Sequence, residues 1–481
     1  MPQGNEPLIN ELRERSAGSA YTPELDTRAQ PVEALLPEAL LRRTPLQLPE
    51  VSEPGLVRHY TRLSQRNFCV DANFYPLGSC TMKYNPRVSE KLARLRGFQL
   101  VHPYQSEETV QGVLQILHEA ERCLAAVTGM DAVSLQPAAG AHGELTGILL
   151  IAAYHRDRGE NRRKVLIPDS AHGTNPASCA LCGYEVETIR SNSDGQIDLD
   201  QLRAKLDSSV AALMVTNPNT LGIFEERIVE IADAVHKAGA QLYMDGANLN
   251  ALVGIARPGD FGVDVVHLNL HKTFATPHGS GGPGAGPVAV KAHLEQYLPV
   301  PIVRAEGSRY VLDYDLPKSV GKVRCFYGNC PVILRAYVYL RLLGWEGLRT
   351  AAENAVLNAN YLLSKVRQLG LPYEGPRLHE FVLSLESLRP FGVKAYDVAK
   401  RLLDLGFHPP TMNFPLIVKE ALMIEPTETE SKATLDAFAE ALLRVVEEAR
   451  TSPDLLKTAP HHLPVRRLDE VKAARALRLR W

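Results

Sequence analysis

A lysine directly behind an apolar stretch is an unusual place for a charge. Lys272 closes the run Val266-His-Leu-Asn-Leu-His271 and is followed by Thr273 and Phe274. Lysines are rarely taken into a protein interior. One whose pKa is depressed there forms an imine with a carbonyl carbon. His271 stands beside it, able to shuttle protons or merely to pack. Asp245 lies 27 residues earlier, at the end of the run Gln241–Met244 and before Gly246, Ala247 and Asn248. A buried carboxylate needs a cationic partner. A protonated pyridine nitrogen would serve as one; the plainer reading is a helix cap.

Three further segments have the character of ligand contacts. In Gln136-Pro-Ala-Ala-Gly-Ala-His-Gly-Glu144, Ala139, Gly140 and Ala141 are small enough for backbone to approach a ligand. The free amides of the helix that starts there favour phosphate. In Asp169-Ser-Ala-His-Gly-Thr-Asn-Pro176, the His172 ring could stack on an aromatic ligand, with Thr174 hydrogen-bonding beside it. A loop histidine and a capping residue are the alternative. In Asn217-Pro-Asn-Thr-Leu-Gly222, Asn219 and Thr220 could meet a ring hydroxyl or form a plain turn. After the lysine, Pro277 to Gly286 is too glycine-rich for a helix and suits backbone lying close to a ligand, or a mobile loop.

These segments share a position. Apolar runs predict strands at Ala132–Leu135, Val165–Pro168, Ala211–Thr216, Gln241–Met244 and Val263–Leu268, and each segment follows one of them. Further strands are predicted at Tyr184–Ile189 and Pro287–Val290. Helices are predicted at Ala141–His155, Asn175–Cys182, Leu199–Leu206 and Arg227–Ala238, after a helical stripe that begins at Val110. Such alternation predicts a layered α/β domain with a largely parallel sheet, whose ligands bind beyond the carboxyl ends of the strands. The order of phosphate turn, stacking histidine, aspartate and lysine along one sheet edge is that of the large pyridoxal-phosphate (PLP) enzyme fold of aspartate aminotransferase type, fold type I. PLP is therefore the expected cofactor, held through Lys272.

After residue 330, predicted helices Pro331–Leu343 and Leu348–Leu369 precede an alternation of Phe381–Ser387, Ala395–Leu405, Ala421–Pro426 and Lys432–Arg450. This suits a smaller C-terminal α/β domain. The expected division is an irregular arm over 1–110, a large PLP-binding domain over 111–328 and a small domain over 329–481. The arm carries recurrent prolines and short helical pieces such as Pro37–Arg43, and the segment Asn73 to Asn85 has neither helix nor strand period. The tail Asp469–Trp481 reads as a frayed helix or a docking element.

The chain has 481 residues, 45% of them apolar and 22% charged, with a formal net charge of -2. That balance signals no nucleic-acid surface. The most apolar stretch, Leu145 to Tyr154, is too short to span a bilayer and reads as a buried helix. Met1 to Ser16 lacks the apolar core of a signal peptide, so the expected location is the cytoplasm, or an organelle matrix after removal of a transit peptide. Seven scattered cysteines argue against a disulfide framework. Cys179 and Cys182 have redox or zinc spacing, but no second cysteine pair matches them, and no metal is expected.

Longer motifs carry a resemblance. Tyr75-Pro-Leu-Gly-Ser-Cys-Thr-Met-Lys-Tyr-Asn85, His267-Leu-Asn-Leu-His-Lys-Thr-Phe274, the glycine-rich stretch from Pro277 to Pro287, and Met423-Ile-Glu-Pro-Thr-Glu428 span residues 75 to 428. The sequence resembles the glycine decarboxylase P-protein of the glycine cleavage system, and specifically its lysine-bearing C-terminal half. The resemblance implies the PLP-binding subunit of the two-subunit form, paired with glycine decarboxylase subunit 1 in an α2β2 assembly. It implies glycine as substrate, release of carbon dioxide, and lipoylated H-protein as acceptor of the aminomethyl group. On this chain it makes Lys272 the cofactor-bonding lysine, Asp245 the pyridinium partner, His172 the stacking residue and the Gly140 turn the phosphate site. Fused members often place a polar residue near Ala139, and that side chain is missing here. Three rival readings remain open: another fold-type-I amino-acid decarboxylase or lyase without a lipoyl partner; a non-catalytic partner subunit, which Lys272 argues against; and a thiol redox or metal module around Cys179 and Cys182.

Overall fold

The computed structural model describes residues 5–12, 26–28, 30–44, 48–49, 51–278, 284–477 and 479. Its contacts divide the chain into two units, Met1–Cys69 with His462–Trp481, and Val70–His461.

The second unit is built on a seven-stranded sheet. Its strands are β1 (Ala132–Ser134), β2 (Lys164–Pro168), β3 (Glu185–Ile189), β4 (Val210–Thr216), β5 (Gln241–Gly246), β6 (Val265–Leu268) and β7 (Val288–Val290), in the order β1-β7-β6-β5-β4-β2-β3. The central strands are buried on both faces, which their unbroken apolar runs require. Only β7 runs against its neighbours, β6 and β1. The carboxyl ends of β1, β2, β4, β5 and β6 therefore share one edge. The apolar helix Gly140–Asp157 packs on the sheet with Ile148, Leu150 and Ile151 fully buried, as a buried-helix reading requires.

Past the sheet, Ile302–Glu306 (β8) and Arg309–Asp313 (β9) form a hairpin absent from the sequence reading. The long helix Cys330–Val366 breaks at Gly344 (φ 58°, ψ −168°), and the two predicted helices lie on either side of the break. A three-stranded antiparallel sheet follows, β10 (Phe381–Ser384), β12 (Ala421–Ile424) and β11 (Thr411–Met412). The helices Ala395–Asp404 and Lys432–Thr451 cover it over a core that includes Phe381, Leu422, Phe438 and Leu442.

The aperiodic segment before Asn85 packs on its own chain. Phe74 enters the core of the small sheet, edge-on to Phe438 at 5.1 Å. Leu77 bridges Ile424, and Gly78 lies so close that a Cβ would fall 2.4 Å from Met423 Cγ. Lys83 is buried, its Nζ 2.8 Å from Glu428 Oε1, 3.2 Å from Asn250 Oδ1 and 3.4 Å from the Tyr339 hydroxyl. Burial opposes its charge, but Glu428 and Tyr339 hold its pKa above the ordinary lysine value. Lys83→Met strands Glu428 without its cation, and denaturant unfolding is expected to read a loss of about 3–5 kcal/mol. A loss below about 1 kcal/mol would show that the pair is dispensable.

In the first unit the expected irregular chain is interrupted by the helix Glu53–Ser64, which Ser52 caps by accepting from the Gly55 amide. Glu6 ties this helix down, at 3.0 Å from His59 and 2.6 Å from Arg62. The tail forms the helix Glu470–Arg475, and Arg478, Arg480 and Trp481 lie outside the described residues.

Candidate active site

A cavity of about 300 Å³ opens at the shared strand edge. Its floor is acidic. Asp245, at the end of β5, is buried, accepts the Ala247 amide at 3.0 Å and lies 3.3 Å from His267 Nε2. With its amide nitrogen toward the acids, Asn175 donates to Asp245 Oδ2 at 3.2 Å and to Glu144 Oε2 at 2.8 Å. Burial opposes the charge on Asp245, yet His267, the Ala247 amide and Lys272 outweigh it, and its pKa falls below the usual value. Glu144 moves the other way. Burial and the neighbouring Asp245 push it up to about 8, so the pair carries one charge, on Asp245.

Lys272 stands just past β6, its amide donating to the Asn269 carbonyl at 3.0 Å, and its side chain lines the cavity. Its charge reaches Asp245, Glu144, Glu380 and Cys80. His172 also lines the cavity, its Nδ1 2.8 Å from Thr174 Oγ1, which donates to Glu144 Oε1 at 2.8 Å. Burial lowers the His172 pKa, leaving a neutral ring.

The helix Gly140–Asp157 starts at the cavity, where Gly140 and Ala141 form part of the wall. A Cβ on Gly140 would sit 2.4 Å from Asn269 Oδ1, so only glycine lets the backbone lie this close. Asn269 Oδ1 and Thr216 Oγ1 are buried without a hydrogen-bond partner, and both residues line the cavity. Unpartnered polar atoms beside free helix amides are what a phosphate-bearing ligand would satisfy.

Not every expected residue reaches this space. Ala139 does not line the cavity: it is the N-cap, its carbonyl accepts from the Gly143 amide, and it closes against Gly286. Asn219 is also withdrawn. Its Nδ2 donates to the Gly195 carbonyl at 2.7 Å and its Oδ1 accepts from the Leu221 and Ile223 amides, so the side chain holds its own turn together. Thr220 lines the cavity but donates its hydroxyl to the Ser170 carbonyl at 2.5 Å. Asn248 lines it too, bonding Thr81 Oγ1 at 2.6 Å and Glu425 Oε1 at 2.9 Å. His271 is pushed down to about 3 by burial, His278 and Lys272, so at neutral pH its ring has no extra proton to deliver. Within the glycine-rich stretch, Gly279 to Pro283 lie outside the described residues.

The opposite wall comes from chain far away: Ser79, Cys80, His379 and Glu380. His379 and Glu380 have no place in the sequence reading, while Ser79, Cys80, Glu144, Thr216 and Asn269 stand inside quoted segments without a role. Two signals were present. Asn269 is a polar residue inside an apolar run, and Glu144 is an acid inside an apolar helix. As for the remaining cysteine pair, Cys179 Sγ faces Met214 Sδ at 4.0 Å, and burial pushes Cys179 up to about 12 and Cys182 up to about 11.

Residues 26–307 match the family model for the glycine cleavage system P-protein, and residues 351–461 match that for the glycine dehydrogenase C-terminal domain. The chain belongs to the glycine cleavage system P-protein family. A P-protein relative from Caldanaerobacter subterraneus subsp. tengcongensis, described as a "probable glycine dehydrogenase (decarboxylating) subunit 2", is 58% identical over 476 residues, covering 98% of each chain. A crystal structure of glycine decarboxylase (P-protein) in inhibitor-bound form aligns with a TM-score of 0.71 at 25% identity, covering 86% of this chain and 94% of the other. Glutamate decarboxylase from Lactobacillus brevis aligns with a TM-score of 0.66 at 15% identity, covering 86% and 96%, and shares the fold. The fold is thus PLP fold type I, the cofactor is pyridoxal phosphate, and the family activity is glycine decarboxylation. Among the described residues, no helix is long and apolar enough to cross a membrane.

Proposed function

We propose that this P-protein chain binds pyridoxal phosphate through Lys272 and passes the aminomethyl group of glycine to the lipoyl arm of H-protein. The observation that carries the site assignment is one cavity in which Lys272, an ionised Asp245 and the unpartnered Asn269 and Thr216 face one another at a helix start. Gly140 and Ala141 amides, with Asn269 and Thr216, would hold the phosphate. His172, neutral, would cover a ring face. Asp245 would sit against the ring nitrogen and keep it protonated, while Glu144 keeps its own proton and adds no second charge. When bound, pyridoxal phosphate supplies an aldehyde for the lysine and a protonated ring that takes up the electron pair left by departing carbon dioxide.

Among the described residues lining the cavity there is no arginine, and the four histidines His172, His271, His278 and His379 all have lowered pKa values through burial. Among the described residues glycine's carboxylate therefore meets no fixed arginine clamp in the cavity, in keeping with a group that must leave. The partner is glycine decarboxylase subunit 1, in an α2β2 assembly located in the cytoplasm. The test is co-expression with subunit 1, followed by exchange of glycine carboxyl with bicarbonate, with and without lipoylated H-protein. Strong stimulation by H-protein is the expected result. Full turnover of an amino acid with no lipoyl partner would instead favour a fold-type-I decarboxylase or lyase of another kind.

A further inference from the structure

The cavity wall facing Asp245 holds a second pair of crowded acids. Glu380, just before β10, and Glu425, just after β12, are both buried, and their nearest carboxylate oxygens lie with a His379 ring nitrogen in a group no more than 4.8 Å across. Their hydrogen bonds are unequal. Glu425 accepts from the Thr81 amide, Thr81 Oγ1, Asn248 Nδ2 and Asn250 Nδ2, at 2.6 to 3.2 Å. Among the described residues, Glu380 accepts from the Ser79 amide alone, at 2.8 Å. Two buried acids this close do not both ionise, and the proton stays on the one with fewer donors. That acid is Glu380, and it lines the cavity. Burial and Glu425 accordingly drive its pKa well above the ordinary value. The other titratable groups facing it are His379 beside it, Cys80 on the opposed loop and Lys272 across the cavity. His379 is fully buried, with both ring nitrogens unpartnered and a lowered pKa, so it cannot replace Glu380 as the acid.

The proposed transfer consumes one proton. The methylene carbon left after loss of carbon dioxide bonds one sulfur of the lipoyl disulfide. The S–S bond breaks, its electron pair goes to the second sulfur, and that thiolate takes up a proton. We propose that Glu380 is the acid that protonates this released sulfur, and is itself reprotonated from solvent. This rests on the lipoyl-acceptor reading.

The experiment uses the holoenzyme with its partner subunit and the Glu380→Gln variant. Glutamine still accepts the Ser79 amide but carries no transferable proton. Transfer to the lipoyl disulfide is expected to fall about 10²-fold or more, a loss at least about tenfold larger than that in exchange of glycine carboxyl with bicarbonate measured without any disulfide. The wild-type transfer rate should fall as pH rises through the Glu380 pKa, and that limb should be missing in the variant. Unchanged transfer in the variant, or an equal loss in both assays, overturns the assignment. A wild-type enzyme that exchanges carboxyl but never opens the lipoyl disulfide overturns the acceptor reading first. Infrared spectroscopy of the cofactor-free chain gives a readout independent of activity. A protonated-carboxyl stretch that shifts in Glu380→Asp should be present at the pH of the transfer assay; its absence refutes the proposal.

Discussion

Lys272→Ala is expected to abolish the absorbance of lysine-linked pyridoxal phosphate and to lower glycine decarboxylation on the order of 10⁴-fold or more. The effect is chemical, not structural. Among the described residues, the Lys272 ammonium makes no hydrogen bond or ion pair, and the backbone bond from residue 272 to the Asn269 carbonyl survives the substitution. Compared without cofactor, the variant should therefore melt near the wild-type temperature, since the substitution removes no hydrogen bond or ion pair of the ammonium among the described residues. Absorbance, carboxyl exchange and thermal unfolding on one preparation separate the two effects. A variant that keeps the absorbance and exchanges carboxyl at more than a few per cent of wild type assigns the cofactor to another amine.

Asp245→Asn keeps shape and removes charge. The strand-end carboxylate is the only ionised member of the Asp245–Glu144 pair, so the variant leaves the ring nitrogen without its counter-charge. Losing one partner of a buried ion pair costs about 3–5 kcal/mol, which is about 10²- to 10⁴-fold in the ratio of kcat to KM. Neutralising residue 245 also removes one of the causes that hold the Glu144 pKa up, so Glu144 should ionise at lower pH than in wild type. Its carboxylate then restores part of the lost charge, and activity of Asp245→Asn should rise with pH through the new Glu144 pKa. The double variant Asp245→Asn/Glu144→Gln should show no such rise. Steady-state rates against pH, with cofactor titration, test this. An Asp245→Asn enzyme within about threefold of wild type would remove the aspartate from the cofactor site.

Much of the site could be read from the chain because a parallel sheet places ligand contacts just after its strands. Lys272, Asp245, His172 and the Gly140–Ala141 turn each follow a strand whose apolar run is local, and each lines the cavity. Asn219 also follows such a strand, but turn chemistry decided its role: the Leu221 and Ile223 amides needed an acceptor, and its carbonyl was nearest. The far wall was invisible for another reason. Ser79 and Glu380 meet across 301 residues, and nothing in either local pattern encodes that encounter. Glu144 sits in a helix so apolar that its acid reads as an exception, and only the pairing with Asp245 gives it a purpose. The β8–β9 hairpin could have been found from its Gly307-Ser308 turn between strand-like runs. Strand β11, at two residues, is too short for any periodicity.

Borohydride reduction of the holoenzyme, followed by peptide mapping, tests the central assignment most directly, because it fixes the cofactor to whichever amine holds it. The account predicts a single phosphopyridoxyl tag on the peptide containing Lys272. A tag on any other lysine, or none on a protein that decarboxylates glycine, would contradict it.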